Sequence, residues 1–160
     1  MNGHFLETLP CIYSAVQDPG RTGLTFAALI APGQIRSAAK LCRAAGYHLE
    51  DVTVCEVQEG TLAIYHFDRF GRPGRISCMA LSSDNAFDSI ADIFPGADWH
   101  ERECFDFFGT TFAGHPNLIP LLLPPDVQTP PLRKQDGSKA ALATIFPWAQ
   151  APAPATPEEP

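Results

Sequence analysis

The sequence predicts an α+β fold: a single two-layer domain followed by an extended, proline-rich C-terminal segment. Three observations lead there. The chain has 160 residues, 45% hydrophobic and 18% charged, enough apolar material for one core. Its periodic segments come in the order strand, helix, three strands, helices, and the loops between the three strands are short enough to force an antiparallel meander. Residues 116–131 then hold six prolines (116, 120, 124, 125, 130 and 131), a density that forbids both helix and central strand.

The first twenty residues are weakly patterned and end in the turn signal Asp18-Pro19-Gly20. Leu24–Ile30 reads as a strand. Pro32 suits the first turn of a helix, and Ile35, Ala38, Ala39, Cys42 and Ala45 follow at helical spacing until Gly46, placed for a left-handed stop. Asp51–Val57 alternates Val52, Val54 and Glu56 against Thr53, Cys55 and Val57. Glu59-Gly60 turns the chain into Thr61–Phe67, and the loop Asp68–Gly74 leads to Arg75–Leu81. Phe87, Ile90, Ala91 and Phe94 stand at i, i+3, i+4 and i+7, which predicts a helix over 84–94 capped by Ser82, Ser83 or Asp84. Pro95-Gly96 stops it. Asp98-Trp99-His100-Glu101 has the form of a capping box for a second helix over 98–108, ending at Gly109.

After Gly114 the character changes. Leu118, Ile119 and Leu121-Leu122-Leu123 sit among the prolines, so an extended apolar segment needs a surface to lie on, in its own domain or on a partner. The residues divide as 1–115 for the domain, 116–148 for a Pro/Leu-rich docking segment and 149–160 for a low-complexity Ala/Pro tail expected to be disordered.

A formal net charge of −7 argues against nucleic acid, whose binding needs a positive footprint. The charge is concentrated. Between Asp84 and Asp106 seven acids (Asp84, Asp88, Asp92, Asp98, Glu101, Glu103, Asp106) face one base, Arg102. The opening residues show no basic region followed by an apolar run, and no stretch nears the ~18–20 apolar residues of a membrane span, so a peripheral or soluble chain without a leader is expected. Five cysteines, with no Cys-x-x-Cys pair, encode neither an iron–sulfur cluster nor a structural zinc site and are expected as reduced, mostly buried thiols.

The segment richest in chemistry is Trp99–Gly109. His100-Glu101-x-x-Cys104 is one residue from a zincin pattern, but no third ligand follows at a recognisable spacing. Cys104 has mainly carboxylate neighbours, which would raise its pKa rather than activate it. Arg102 lies four residues from both Asp98 and Asp106, so one guanidinium bridging both is expected, a device that orients the helix. His115, just before Pro116, is expected to stabilise a turn by donating to a carbonyl or carboxylate. The Arg69–Arg75 loop, with three arginines but no following helix, is no phosphate loop and reads as a solvated hairpin tip. Leu132-Arg133-Lys134 is a compact basic spot suited to a carboxylate. The residues alone show no self-sufficient active site.

Four ordered blocks resemble one family. They are Ile93-Phe94-Pro95-Gly96-Ala97-Asp98-Trp99-His100-Glu101-Arg102-Glu103, then Phe105-Asp106-Phe107-Phe108-Gly109, then Gly114-His115-Pro116-Asn117-Leu118, and Pro131-Leu132-Arg133-Lys134. Together they are similar to the thirty-kilodalton subunit (the C subunit) of respiratory complex I and of the related energy-converting membrane-bound nickel–iron hydrogenases. The likeness covers roughly residues 22–136. It implies a mixed sheet of about four to five strands with two to three helices and no cofactor of its own. It also implies docking on a large catalytic subunit and a small iron–sulfur subunit, peripherally, on the cytoplasmic side of a membrane. The signature positions it marks are Glu101, Arg102, Glu103, Asp106, Gly109, His115, Pro116, Leu132, Arg133 and Lys134, with an architectural role.

Two departures matter. Complex I members usually continue His-Pro with Asp-Leu-Arg-Arg, where this chain has Asn117-Leu118-Ile119-Pro120, and a common tryptophan is Val127 here. The proline before Leu121-Leu122-Leu123 and the short chain favour the hydrogenase branch over the thirty-kilodalton subunit of complex I proper. Two other classes stand beside this reading: a free-standing metal or cysteine enzyme using His100, Glu103 and Cys104, and an assembly chaperone.

Overall fold

In chain order the elements are β1 (Cys11–Val16), the one-turn α1 (Pro19–Thr22), β2 (Phe26–Ile30), α2 (Ile35–Ala44), β3 (His48–Val57), β4 (Gly60–Asp68), β5 (Ile76–Ser82), β6 (Ala86–Asp88), α3 (Ala97–Phe108), β7 (Thr111–Ala113) and the one-turn α4 (Leu142–Ile145). The structure is a computed structural model and describes residues 4–71, 74–124, 126–127, 129–135 and 137–149. Arg72 and Pro73 of the arginine loop and all of the tail beyond 149 lie outside the described residues.

The meander forms as its loop lengths require: β3 and β4 are antiparallel, as are β4 and β5. Gly60, paired with Val57 at the tight turn, has φ +145°, and a Cβ there would stand 2.3 Å from the Ser82 carbonyl oxygen. Only glycine fits. β2 joins the other side of β5 in parallel and β1 adds antiparallel to β2, giving the order β1-β2-β5-β4-β3. One parallel pair among antiparallel ones makes this a mixed sheet in an α+β domain.

Each face of the sheet has its own cover. On the front, α2 buries Ile35, Ala38, Ala39 and Cys42, and α3 packs along β3 through Ala97 and Cys104. These join Ala28, Ile30, Val52, Val54, Tyr65, Phe67 and Ile76 in the main core. On the back, Ala27, Leu29, Val57, Leu62 and Met79 meet Leu142 and Ala149, with Phe146 and Trp148 packed alongside. The interior strand β2 is buried at all five positions because both faces are covered.

Three expectations change. No helix forms over 84–94. Asn85 takes φ +57°, β6 pairs in parallel with β7, and turns follow through Phe94. Phe87, Ile90 and Phe94 all reach the core, so a strand plus a turn satisfies the spacing that reads as helical. Asp98 is not a cap: α3 begins at Ala97 with Gly96 at the cap, and Glu101 turns inward. β1, β6 and β7 are strands the periodicity did not show. Gly46 and Gly109 end their helices left-handed, at φ +79° and +66°.

Candidate functional site

The signature helix α3 is amphipathic in an unusual sense, since two carboxylates, Glu101 and Asp106, are on buried positions. Glu101 is 0% exposed. Its Oε2 accepts from Ser89 Oγ at 2.6 Å and its Oε1 from the Ile90 amide at 2.8 Å. The carboxylate thereby ties the irregular stretch after β6 to α3. Burial pushes its carboxyl above the ordinary range, although these two donors and the nearby His115 pull the other way.

The His115 side chain is also 0% exposed, with Nε2 3.9 Å from Glu101 Oε2. That nitrogen lies 3.2 Å from the Asp98 carbonyl oxygen and 3.1 Å from Asp98 Oδ1, while Nδ1 accepts from the Asn117 amide at 3.0 Å. Since Nδ1 accepts, the proton is on Nε2, facing the carbonyl and carboxylate of Asp98. His115 thus fastens the turn through exposed Pro116 to the first turn of α3.

The next turn of α3 holds the proline–leucine segment. Arg102 does not bridge Asp98 and Asp106. Its Nε donates to the Ile119 carbonyl at 3.0 Å and an Nη to that of Pro120 at 2.9 Å. Asp106 Oδ2 accepts the amides of Leu121, Leu122 and Leu123 at 2.8, 2.7 and 3.2 Å. One helix turn therefore reads five consecutive residues of backbone, carbonyls first and amides after. An extended proline-bearing segment has no ladder to satisfy these groups, so a base and an acid at i and i+4 supply the partners. Gly109 completes the fit: a Cβ there would meet the Pro130 ring at 3.1 Å, and the Leu132 amide donates to the Phe107 carbonyl at 3.0 Å.

The basic spot finds a carboxylate within the chain. Glu56, 3% exposed on β3, accepts the Lys134 amide, with Arg133 Nε at 3.6 Å and Lys139 Nζ at 3.3 Å. Burial would raise its carboxyl, but the Lys134 amide and the Lys139 and Arg133 charges outweigh it and hold the group below the usual range. Sequence reasoning missed Glu56 as a partner. Its signal was an acid on the apolar stripe of Val52 and Val54.

His100, Glu103 and Cys104 do come together, lining a hollow of about 510 Å³ between α3 and β3 with Asp51 and Leu132. Cys104 is buried, however, and its Sγ lies 3.7 Å from the Val52 carbonyl oxygen. Burial, with help from Glu103 and Glu101, pushes the thiol up to about 12, so it is no nucleophile. Among the described residues no three His, Cys, Asp or Glu side chains converge as metal ligands do, and no helix is long and apolar enough to cross a membrane.

What this clamp presents outward is apolar. Trp99 is 66% exposed, Leu122 63%, Leu132 52%, Ile119 49% and Val127 44%. Residues 28–140, well over half of the chain, match the family model described as the respiratory-chain NADH dehydrogenase 30 Kd subunit. The chain belongs to this family. It is 37% identical over 94 residues to the NADH-quinone oxidoreductase C subunit of Streptomyces coelicolor, covering 58% of this chain and 37% of that relative. Against the corresponding protein of a Roseiflexus species it is 42% identical over 74 residues, 44% of this chain and 42% of the relative. The chain thus spans less than half the length of these relatives.

Solved structures agree on the fold of this thirty-kilodalton-family chain. A trypsin-resistant fragment of Nqo5 matches with TM-score 0.51 at 19% identity, over 58% of this chain and 82% of that one. A chain of the membrane-bound sulfane sulfur reductase, an archaeal respiratory membrane complex, matches with TM-score 0.58 at 20% identity, over 69% and 66%.

Proposed function

We propose that the chain is a non-catalytic, peripheral subunit of a membrane-bound electron-transfer complex. It lies on the cytoplasmic side, and its segment 116–132 docks on the large catalytic subunit and the small iron–sulfur subunit. The observation that carries this reading is the clamp: Arg102 and Asp106 hold the backbone of 119–123 so that Ile119 and Leu122 point away from their own domain. A fold that fixes apolar side chains in water prepares a surface for a partner. Membership of the thirty-kilodalton family supports it, as does the absence of a nucleophile at Cys104. The signature residues are architectural and the chain brings no cofactor of its own.

Within this reading the hydrogenase-type complex is the branch that Asn117-Leu118-Ile119-Pro120 favours, and the second reading, an NADH:quinone oxidoreductase, is favoured by the names of the relatives. Tagged full-length chain, extracted from native membranes in mild detergent, is expected to bring down a large subunit and a small iron–sulfur subunit. Nickel-ligating cysteines in the large subunit select the first branch and a quinone site there selects the second. Recovery without either overturns the proposal. Leu122→Asp is expected to cut that recovery by about tenfold or more while leaving the fold intact.

A further inference from the structure

One polar row crosses the largely apolar back face of the sheet. Asp51, His66 and Ser77 are direct cross-strand neighbours on β3, β4 and β5, so all three project from the same side. Beyond Ser77 the row ends at Ala27 on β2. The C-terminal segment passes over this region. Between segment and sheet lies a cavity of about 380 Å³, walled by Ile64, Met79, Phe146, Pro147 and Trp148, with His66 and Ser77 also in its lining. That volume falls in the range of small-molecule sites.

The cavity lining also includes Gln17 and Thr22, at the start of the fold, and the two polar groups on the sheet itself, Ser77 and His66, can each take a further partner. Ser77 is 0% exposed and its Oγ has no hydrogen-bond partner. A buried hydroxyl left this way costs free energy that a ligand atom would recover. His66 Nδ1 lies 2.8 Å from Asp51 Oδ1. A carboxylate only accepts, so Nδ1 donates to it, and in the neutral ring Nε2 is the acceptor. The hydrogen bond from His66 also holds the Asp51 carboxyl below its usual range, keeping the acceptor charged.

The cavity thus asks for one group that donates to His66 Nε2 and accepts from Ser77 Oγ, attached to an apolar body. A carboxylate cannot donate to Nε2 and would face Asp51, and an ammonium has no lone pair to accept the Ser77 hydroxyl proton. A hydroxyl does both. We infer that this cavity binds a small phenol, its ring between Met79 and the Phe146–Trp148 wall and its hydroxyl between His66 and Ser77. The site is separate from the docking surface and its fate does not depend on that reading.

The test uses the purified full-length chain and 4-butylphenol, with 4-butylanisole, which cannot donate, as its control. Calorimetry is expected to show the phenol binding about tenfold tighter than the anisole, the worth of one hydrogen bond. In a Trp99→Phe background the phenol is expected to change the emission of Trp148, which lines the cavity. Ser77→Ala is expected to weaken the phenol by about tenfold and raise the Tm of the free chain, since it removes an unpartnered buried hydroxyl. Equal binding of phenol and anisole, no binding at millimolar phenol, or a lower Tm for Ser77→Ala would overturn the inference.

Discussion

Glu101 is the residue on which the front layer turns, because it serves a backbone that has no regular structure of its own. Replacing it with alanine leaves the Ile90 amide without an acceptor, frees the Ser89 hydroxyl and opens a cavity beside His115. The expected loss is about 2–4 kcal/mol, read as a lower urea midpoint with unchanged slope. Glu101→Gln keeps the volume and separates charge from packing. Burial raises the folded pKa of Glu101, so the folded state binds its proton more tightly than the unfolded one. The cost of the buried charge is therefore present above that pKa and relieved as pH falls through it. Wild type is expected to gain stability relative to Glu101→Gln as pH drops from neutral towards about pH 5, in urea melts at matched salt. A gap that stays constant would mean the carboxyl titrates as if in water.

At the scale of elements, the clamp between α3 and residues 119–123 makes a different demand from the one its sequence suggests. A guanidinium bridging Asp98 and Asp106 would make charge reversal at Arg102 cost several kcal/mol. Arg102 instead donates to two carbonyls at a partly exposed site, so Arg102→Glu is expected to cost only about 1 kcal/mol globally. Asp106→Ala orphans three amides at once. It is expected to speed hydrogen exchange at 121–123 by orders of magnitude while the amides of β4 and β5 keep their protection. The sequence showed this helix, its Gly109 stop and the meander, because spacing and turn residues are local signals. It did not show where Arg102 and Asp106 point, since i, i+4 opposite charges read as a pair until a segment fifteen residues away competes for them. Likewise Phe87, Ile90 and Phe94 reach one core from a strand and a turn, and spacing alone cannot tell that from a helix. β1 hid for the opposite reason: Ile12 and Val16, 49% and 84% exposed, put apolar residues on its outward face and blurred the alternation.

For the whole molecule, the open sheet must be covered on both faces, and the two covers differ in origin. The front cover lies within the stretch matched by the family, whereas the back cover, Leu142 to Ala149, follows it. An uncovered back face would expose Leu29, Leu62, Met79 and Val57, all at most 2% exposed in the intact chain. Burying Leu142 and Ala149 and packing Phe146 and Trp148 against those residues is worth about 3–5 kcal/mol at ordinary burial energies. A chain ending at Ala140 is therefore expected to keep its meander, lose about that much stability in urea and bind the dye ANS in proportion to the face laid bare. It would also lose the cavity beneath Trp148 while retaining the Asp106 clamp, so partner recovery from membranes should survive at a temperature where the truncated chain stays folded. If the truncated chain melts like the full one and binds no dye, the C-terminal segment does not lie on the sheet in solution, and the back face must be kept from water by something else.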